Sequence, residues 1–318
     1  MTHIPHHPRE SNRIRALHVG VLDTPPEERF ERLARLARAL FDVPTALVSL
    51  LDADRHRIKT HQGREAADAP PEWTVCAEAI LQDGSLVVAD THLDDRFKAG
   101  PLGNGEGVVR FFAGTQIRAP GGFPIGTLSI IDDKPRGSSG HEEELLSDLA
   151  YLVEREFAAL RLATTDELTG LTNRRGFHLL AGHSLALGQR VGNAATLLLF
   201  DLDDFKKIND SAGHAAGDAA LASFAAELLA NFRDSDVVAR LGGDEFCVLM
   251  SGAAVKDSQG TLAKLAARVA RRNQGRVDEN RIRYSVGVVT FDPELHTTLS
   301  DLVEAADTAM YEAKRSRD

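Results

Sequence analysis

Gly242-Gly243-Asp244-Glu245-Phe246 places two glycines and two carboxylates between apolar runs, Val237-Val238-Ala239 before and Cys247-Val248-Leu249-Met250 after. Strand-forming residues on both sides of a Gly-Gly step read as a β-hairpin. Glycine admits backbone conformations and close approaches that a side chain blocks. A hairpin tip with adjacent acids on buried strands suits a divalent cation beside a phosphate. Taken alone, the five residues favour a solvated turn, since Gly-Asp steps are ordinary turn formers. The surrounding residues change that.

Upstream, Thr196-Leu197-Leu198-Leu199-Phe200 carries no charge, the mark of a central strand buried on both faces. It ends in Asp201-Leu202-Asp203-Asp204. Carboxylates at the carboxyl end of such a strand stand where α/β-type sheets place ligands. With the hairpin tip beside that end, Asp201 and Asp244 share a site, and two close carboxylates call for a cation. Mg²⁺ suits, because it takes few carboxylates and completes its shell with phosphate oxygens.

Lys206 and the backbone amides after the strand suit phosphate. Asn209, and then Asp218 in Gly213-His214-Ala215-Ala216-Gly217-Asp218, precede a helix. Either serves as a cap. Together they suit guanine, whose donor edge a carboxylate accepts.

The second half alternates: a helix to about 187, strand 194–202, helix 215–232, hairpin 237–250, helix 262–272, strand 284–290 and helix 299–315. In the first half, Phe30, Leu33, Leu36, Ala37 and Leu40 recur at helical spacing between Pro25-Pro26 and Pro44. Strands are expected at 46–51, 85–89, 111–114 and 125–131, with a short helix at 76–81. A helix over 142–162 carries Leu146, Leu149, Val153, Phe157 and Leu160 at steps of three or four. That spacing approaches a coiled-coil seam and predicts a stalk for a dimer. The whole reads as an α+β sensor-type domain followed by an α/β-type domain.

The 318 residues allow two domains, and 43% hydrophobic with 26% charged residues is a globular composition. A net charge of −10 argues against general affinity for nucleic acid or anionic membrane. No apolar run is long enough for a membrane span and no signal region opens the chain, so a cytoplasmic protein is expected. Two cysteines, Cys76 and Cys247, exclude a disulfide framework. His3, His6 and His7 read as part of a tail.

The ordered motifs Asp166-x-Leu168-Thr169-Gly170-Leu171-x-Asn173-Arg174-Arg175, Asp201-x-Asp203-x-Phe205-Lys206-x-x-Asn209-Asp210, Gly213-His214-x-x-Gly217-Asp218, Arg240-x-Gly242-Gly243-Asp244-Glu245-Phe246 and Tyr311-x-Ala313-Lys314 resemble a GGDEF domain, the catalytic domain of bacterial diguanylate cyclases. The resemblance implies a nucleotidyl-cyclase palm-like fold with a central mixed β-sheet flanked by helices. It implies Mg²⁺ (or Mn²⁺) on Asp201, Asp244 and the Leu202 carbonyl, with Glu245 as a second metal ligand or an aid to the attacking hydroxyl. Asn209 and Asp218 would read guanine; Phe205, Gly242 and Gly243 would line the substrate site; Lys206 and Lys314 would contact phosphate. The family's arginine after that last lysine is displaced here, which leaves Arg317 as its candidate. Arg233-x-x-Asp236 stands at the spacing of the family's inhibitory product site.

Leu22-Asp23-Thr24-Pro25-Pro26, Phe41-Asp42-Val43-Pro44 and Gly126-Thr127-Leu128 with Asp132 resemble a GAF sensor domain, whose ligand the residues do not identify. The expected organisation is a tail at 1–12, GAF domain 13–141, connecting helix 142–165 and GGDEF domain 166–318. The expected activity joins two GTP into cyclic di-GMP with loss of two pyrophosphates, in a homodimer formed through the GAF domain and connecting helix. The alternative is a GGDEF domain that only binds cyclic di-GMP.

Overall fold

The computed structural model describes residues 27–51, 56–63, 73–82, 84–98, 109–119, 121–275 and 281–315. Pro25, Pro26, the N-terminal histidines and Arg317 lie outside them. The chain divides into two compact units, Met1–Arg161 and Leu162–Asp318.

The first unit is built on a five-stranded antiparallel sheet. Its strands are β1 (Thr45–Leu51), β2 (His56–Gln62), β3 (Ser85–Val88), β4 (Phe111–Arg118) and β5 (Pro124–Asp132), in the order β2-β1-β5-β4-β3. Strand β2 is not among the expected strands, because His, Arg and Lys interrupt its apolar pattern; it is an edge strand, where charge is tolerated. On one face lie α1 (Glu28–Phe41) and α3 (Gly140–Thr164), on the other α2 (Trp73–Ala79).

Two expectations about these helices are corrected. The buried positions of α1 are Phe30, Ala34, Ala37 and Phe41, whereas Leu36 and Leu40 are 43% and 50% exposed. Alanines between two rings let the helix lie close to its neighbours, and Phe30 stacks on Phe157 of α3 at 4.4 Å. The leucines fall roughly a quarter to a third of a turn away. On α3, Leu146, Leu149, Val153, Phe157 and Leu160 are all buried in this unit's own core with Phe30, Val48 and Leu128. The predicted dimer seam is therefore an intradomain packing face, for which a three-to-four spacing serves equally well.

Under α2 the sheet buries a row of hydroxyls. Ser49 Oγ lies 3.0 Å from Thr127 Oγ1, Ser129 Oγ donates to Thr127 Oγ1 at 3.1 Å, and the Cys76 thiol lies 3.9 Å from Ser129 Oγ. Both cysteines are buried and outside any disulfide.

The second unit contains α4 (Arg174–Val191), β6 (Ala195–Leu202), α5 (Phe205–Ala212), α6 (His214–Leu229), β7 (Val237–Gly242), β8 (Glu245–Ser251), α7 (Val255–Arg272), β9 (Tyr284–Thr290) and α8 (Leu299–Arg315). Sheet order is β7-β8-β6-β9. Every named strand pair is antiparallel, where a mixed sheet was expected; one isolated parallel bridge joins Thr172 to Ala239. The helices between β6 and β7 do form a crossover, so these strands run the same way. The β7–β8 hairpin then inserts β8 between them, and each ladder becomes antiparallel. Helix α5 lies between the strand and the helix that the sequence predicts, where no element is expected, and α7 starts at Val255 rather than 262.

The pleat of β6 sorts its side chains. Leu198, Phe200 and Leu202 join the core beneath α6 and α7, while Leu197 and Leu199 join the core with α4 and α8. Asp201 consequently projects toward the α4 and α8 face.

Candidate active site

An aromatic cluster anchors the strand ends. Phe200 and Phe246 are direct cross-strand partners, both fully buried, and Phe224 of α6 packs on them at 5.9 and 5.1 Å. Tyr284 of β9 closes on Phe200 at 5.7 Å. The next pair along the ladder is Asp201 with Glu245. Burying the rings thus fixes where the acids stand, since one residue of strand separates them.

The hairpin turn is Gly243-Asp244, closed by the Gly242–Glu245 pair. Gly243 has φ of 52°, the left-handed region that favours glycine. The Leu202 amide donates to the Asp244 carbonyl at 3.2 Å, tying the end of β6 to the turn.

Two arginines outside the site residues expected from the sequence hold the turn. Arg240 donates from Nε and Nη2 to the Gly243 carbonyl at 3.0 and 2.7 Å, and from Nη1 to both Asp166 oxygens at 3.1 and 3.2 Å. Burial opposes the Asp166 charge, yet donors from Thr169 and Arg240 outweigh it and keep that carboxyl below its ordinary range. Asp166 is itself the start of the polar turn preceding α4, where Asn173 caps the helix by accepting from the Gly176 amide at 2.9 Å. Arg174 donates to the Leu241 carbonyl at 3.0 Å and pairs with Glu245 at 3.5 Å. Their signal in the sequence was an arginine close to each acidic motif.

Charge at the strand ends is incompletely balanced. Desolvation, aided by repulsion from Asp201, raises the Asp244 carboxyl. Desolvation also raises Glu245, against the pull of Arg174. Lys314, near the end of α8, donates to Asp201 at 2.6 Å and lies 3.8 Å from Asp203. The hydrogen bond to Asp201 raises the ammonium pKa. Asp203 also accepts from the Ser285 hydroxyl at 2.7 Å. Lys314, predicted to face phosphate, is here bound to carboxylates.

Among the described residues no group of three or more His, Cys, Asp or Glu side chains is arranged to enclose a metal. The donors present are two mutually repelling aspartates, one flanking glutamate and a main-chain carbonyl, all hard oxygens. That partial set fits a cation which keeps several waters and takes the rest of its shell from phosphate.

Of the other site candidates, Phe205 opens α5 and Lys206 and Asn209 lie within it, while Asp218 lies in the first turns of α6. Asn209 and the Gly217–Asp218 step are brought together, for a Cβ on Gly217 would stand 2.0 Å from Asn209 Oδ1. Only glycine allows that approach.

Arg233 and Asp236 precede β7, at its far end from the acidic turn. Both Asp236 oxygens accept main-chain amides, from Arg233 at 3.0 Å and Ser251 at 3.2 Å. Desolvation nevertheless raises this carboxyl. The aspartate expected to read product already closes a turn.

Fold and site together define a two-unit α+β protein whose second unit presents hard-oxygen acids at the ends of two central strands. Residues 163–318 match the family model described as diguanylate cyclase, GGDEF domain, and residues 25–157 match that of the GAF domain. The chain joins a GAF domain to a GGDEF domain. It is 37% identical over 186 residues to the cyclic di-GMP phosphodiesterase PA2567 of Pseudomonas aeruginosa, covering 58% of this chain and 31% of that protein. It is 32% identical over 206 residues to the diguanylate cyclase DgcP of Pseudomonas aeruginosa, covering 60% and 30%. To the diguanylate cyclase DgcP of Escherichia coli (strain K12) it is 29% identical over 265 residues, covering 77% and 75%. The chain therefore spans less than a third of the length of the two Pseudomonas relatives. Among the described residues no helix is long and apolar enough to cross a membrane.

Proposed function

We propose that the second unit is half of a diguanylate cyclase, joining two GTP into cyclic di-GMP with release of two pyrophosphates. The observation that carries this reading is the meeting of Asp201 and Asp244 at adjacent strand ends, anchored by Phe200 and Phe246 and approached by the ammonium of Lys314. Asp201, Asp244 and the Leu202 carbonyl hold Mg²⁺ (or Mn²⁺), with Glu245 beside them. The cation, when bound, offsets charge on the attacking and leaving oxygens. Asn209 and Asp218 select guanine, with Phe205, Gly242 and Gly243 lining the site. Lys206, Lys314 and Arg317 meet the phosphates. One domain holds one GTP, and each 3′-hydroxyl attacks the other's α-phosphate, so two domains must face each other.

A homodimer through the GAF unit supplies that arrangement. Because the predicted seam is spent on its own core, another stripe must serve. Leu36 and Leu40 of α1 and Leu152 of α3, the last 46% exposed, flank the Arg29–Glu156 pair that joins these helices at 3.5 Å. Helix α1 carries four arginines against two glutamates, and α3 six acids against two arginines. Two copies laid α1 against α3 would match charge as well as apolar surface. GAF control of activity and product inhibition at Arg233 complete the reading, Asp236 acting there only if its turn opens.

Purified protein incubated with GTP and Mg²⁺ is expected to yield cyclic di-GMP by chromatography. Binding of cyclic di-GMP without its synthesis, in protein shown to be dimeric, would favour the binding-module alternative. Arg233→Ala is expected to relieve product inhibition, and unchanged inhibition removes that site.

A further inference from the structure

Four carboxylates, Asp201, Asp203, Asp244 and Glu245, gather at the ends of β6 and β8, and one lysine from the last turn of α8 reaches into them. Lys314 Nζ is 2.6 Å from Asp201 and 3.8 Å from Asp203. Its side chain is only half-buried. Arg315 beside it turns to the Tyr311 ring at 5.9 Å. The carboxyl end of a helix favours a cation, so α8 delivers Lys314 at little cost. The Lys314 ammonium has three donors and a long flexible stem, and is suited to exchanging partners without moving its helix.

From this geometry we infer that Lys314 is an exchangeable counter-ion. In the metal-free chain it closes the Asp201–Asp203 cluster; when a metal–nucleotide complex enters, it releases these carboxylates and turns to the phosphates. The first half of the exchange needs only the carboxylates, and the second rests on the nucleotide reading proposed above. Two consequences follow from charge alone. A divalent cation without nucleotide must displace the ammonium, so its binding is weakened. A nucleotide offers the ammonium a new partner, so nucleotide and cation bind cooperatively.

The test is a titration of Mn²⁺, followed by electron paramagnetic resonance of the free ion, on full-length wild type, Lys314→Met and Lys314→Arg. Each is measured with and without a GTP analogue carrying a methylene bridge between the α- and β-phosphates. Lys314→Met is expected to bind Mn²⁺ alone on the order of tenfold more tightly, the scale of one charge removed a few ångströms away in a partly solvated site. The tightening caused by the analogue is expected to shrink by the same factor, and Lys314→Arg to keep wild-type coupling. Unchanged Mn²⁺ affinity in folded Lys314→Met, verified by circular dichroism, overturns the inference. If calorimetry finds no analogue binding to any of the three, the nucleotide reading fails instead, while the metal-only comparison still judges the counter-ion.

Discussion

Each unit places a row of polar side chains on its central strands, and the two rows are opposites. In the GAF unit Ser49, Thr127 and Ser129 are neutral, fully buried and bonded to one another. In the GGDEF unit Asp201, Asp203, Asp244 and Glu245 are charged, partly exposed and dependent on Lys314 and Arg174 from flanking helices. A row that satisfies itself has nothing left for a ligand. A row that borrows its cations can return them.

The comparison breaks most visibly at Asp244. Asp244→Asn is expected to lower turnover by at least about a thousandfold by removing a charge that serves the transition state. Its effect on stability has the opposite sign. Burial and Asp201 raise this carboxyl in the folded protein, so its contribution is favourable below the unfolded value and is lost as pH rises through the folded one. Metal-free Asp244→Asn should therefore melt above wild type at neutral pH, with the gap narrowing as pH falls and closed below about pH 3, where the carboxyl is protonated in both states. Scanning fluorimetry across pH checks this.

Next in size is Arg240→Ala, which frees the Gly243 carbonyl and Asp166 together. Turnover should fall about a hundredfold through misplacement of the turn, and urea denaturation should report a loss of about 2 kcal/mol in the GGDEF unit. A drop in stability without loss of turnover would reduce Arg240 to scaffolding. Gly217→Ala pushes on Asn209 Oδ1 and should raise KM for GTP on the order of tenfold and narrow the preference over ATP. Equal preference in both proteins would detach Asn209 from base reading. The smallest effect belongs to the other row: Ser129→Ala should cost the GAF unit about 1 kcal/mol, with turnover per folded molecule unchanged.

The same contrast explains what the sequence revealed. An uncharged run ending abruptly in aspartates, and an acidic turn between apolar strands, are local patterns, so β6, the hairpin and the Asp201–Asp244 meeting were legible. The burial of the α3 stripe was not, because identical spacing describes a helix packed on itself or on a copy. Helix α5 was hidden by its brevity and polar residues. Arg174, Arg240 and the Lys314–Asp201 pair act across 71, 74 and 113 residues of chain or close a turn from outside it, and no short motif states such partners.

The central claim is that the acidic turn is a catalytic half-site and more than a solvated hairpin. The most direct measurement follows nucleotides by chromatography after wild type and folded Asp244→Asn are each incubated with GTP and Mg²⁺. The account predicts cyclic di-GMP and two pyrophosphates per product from wild type and neither from the variant. Cyclic di-GMP from neither protein, or from both at equal rates, would contradict it.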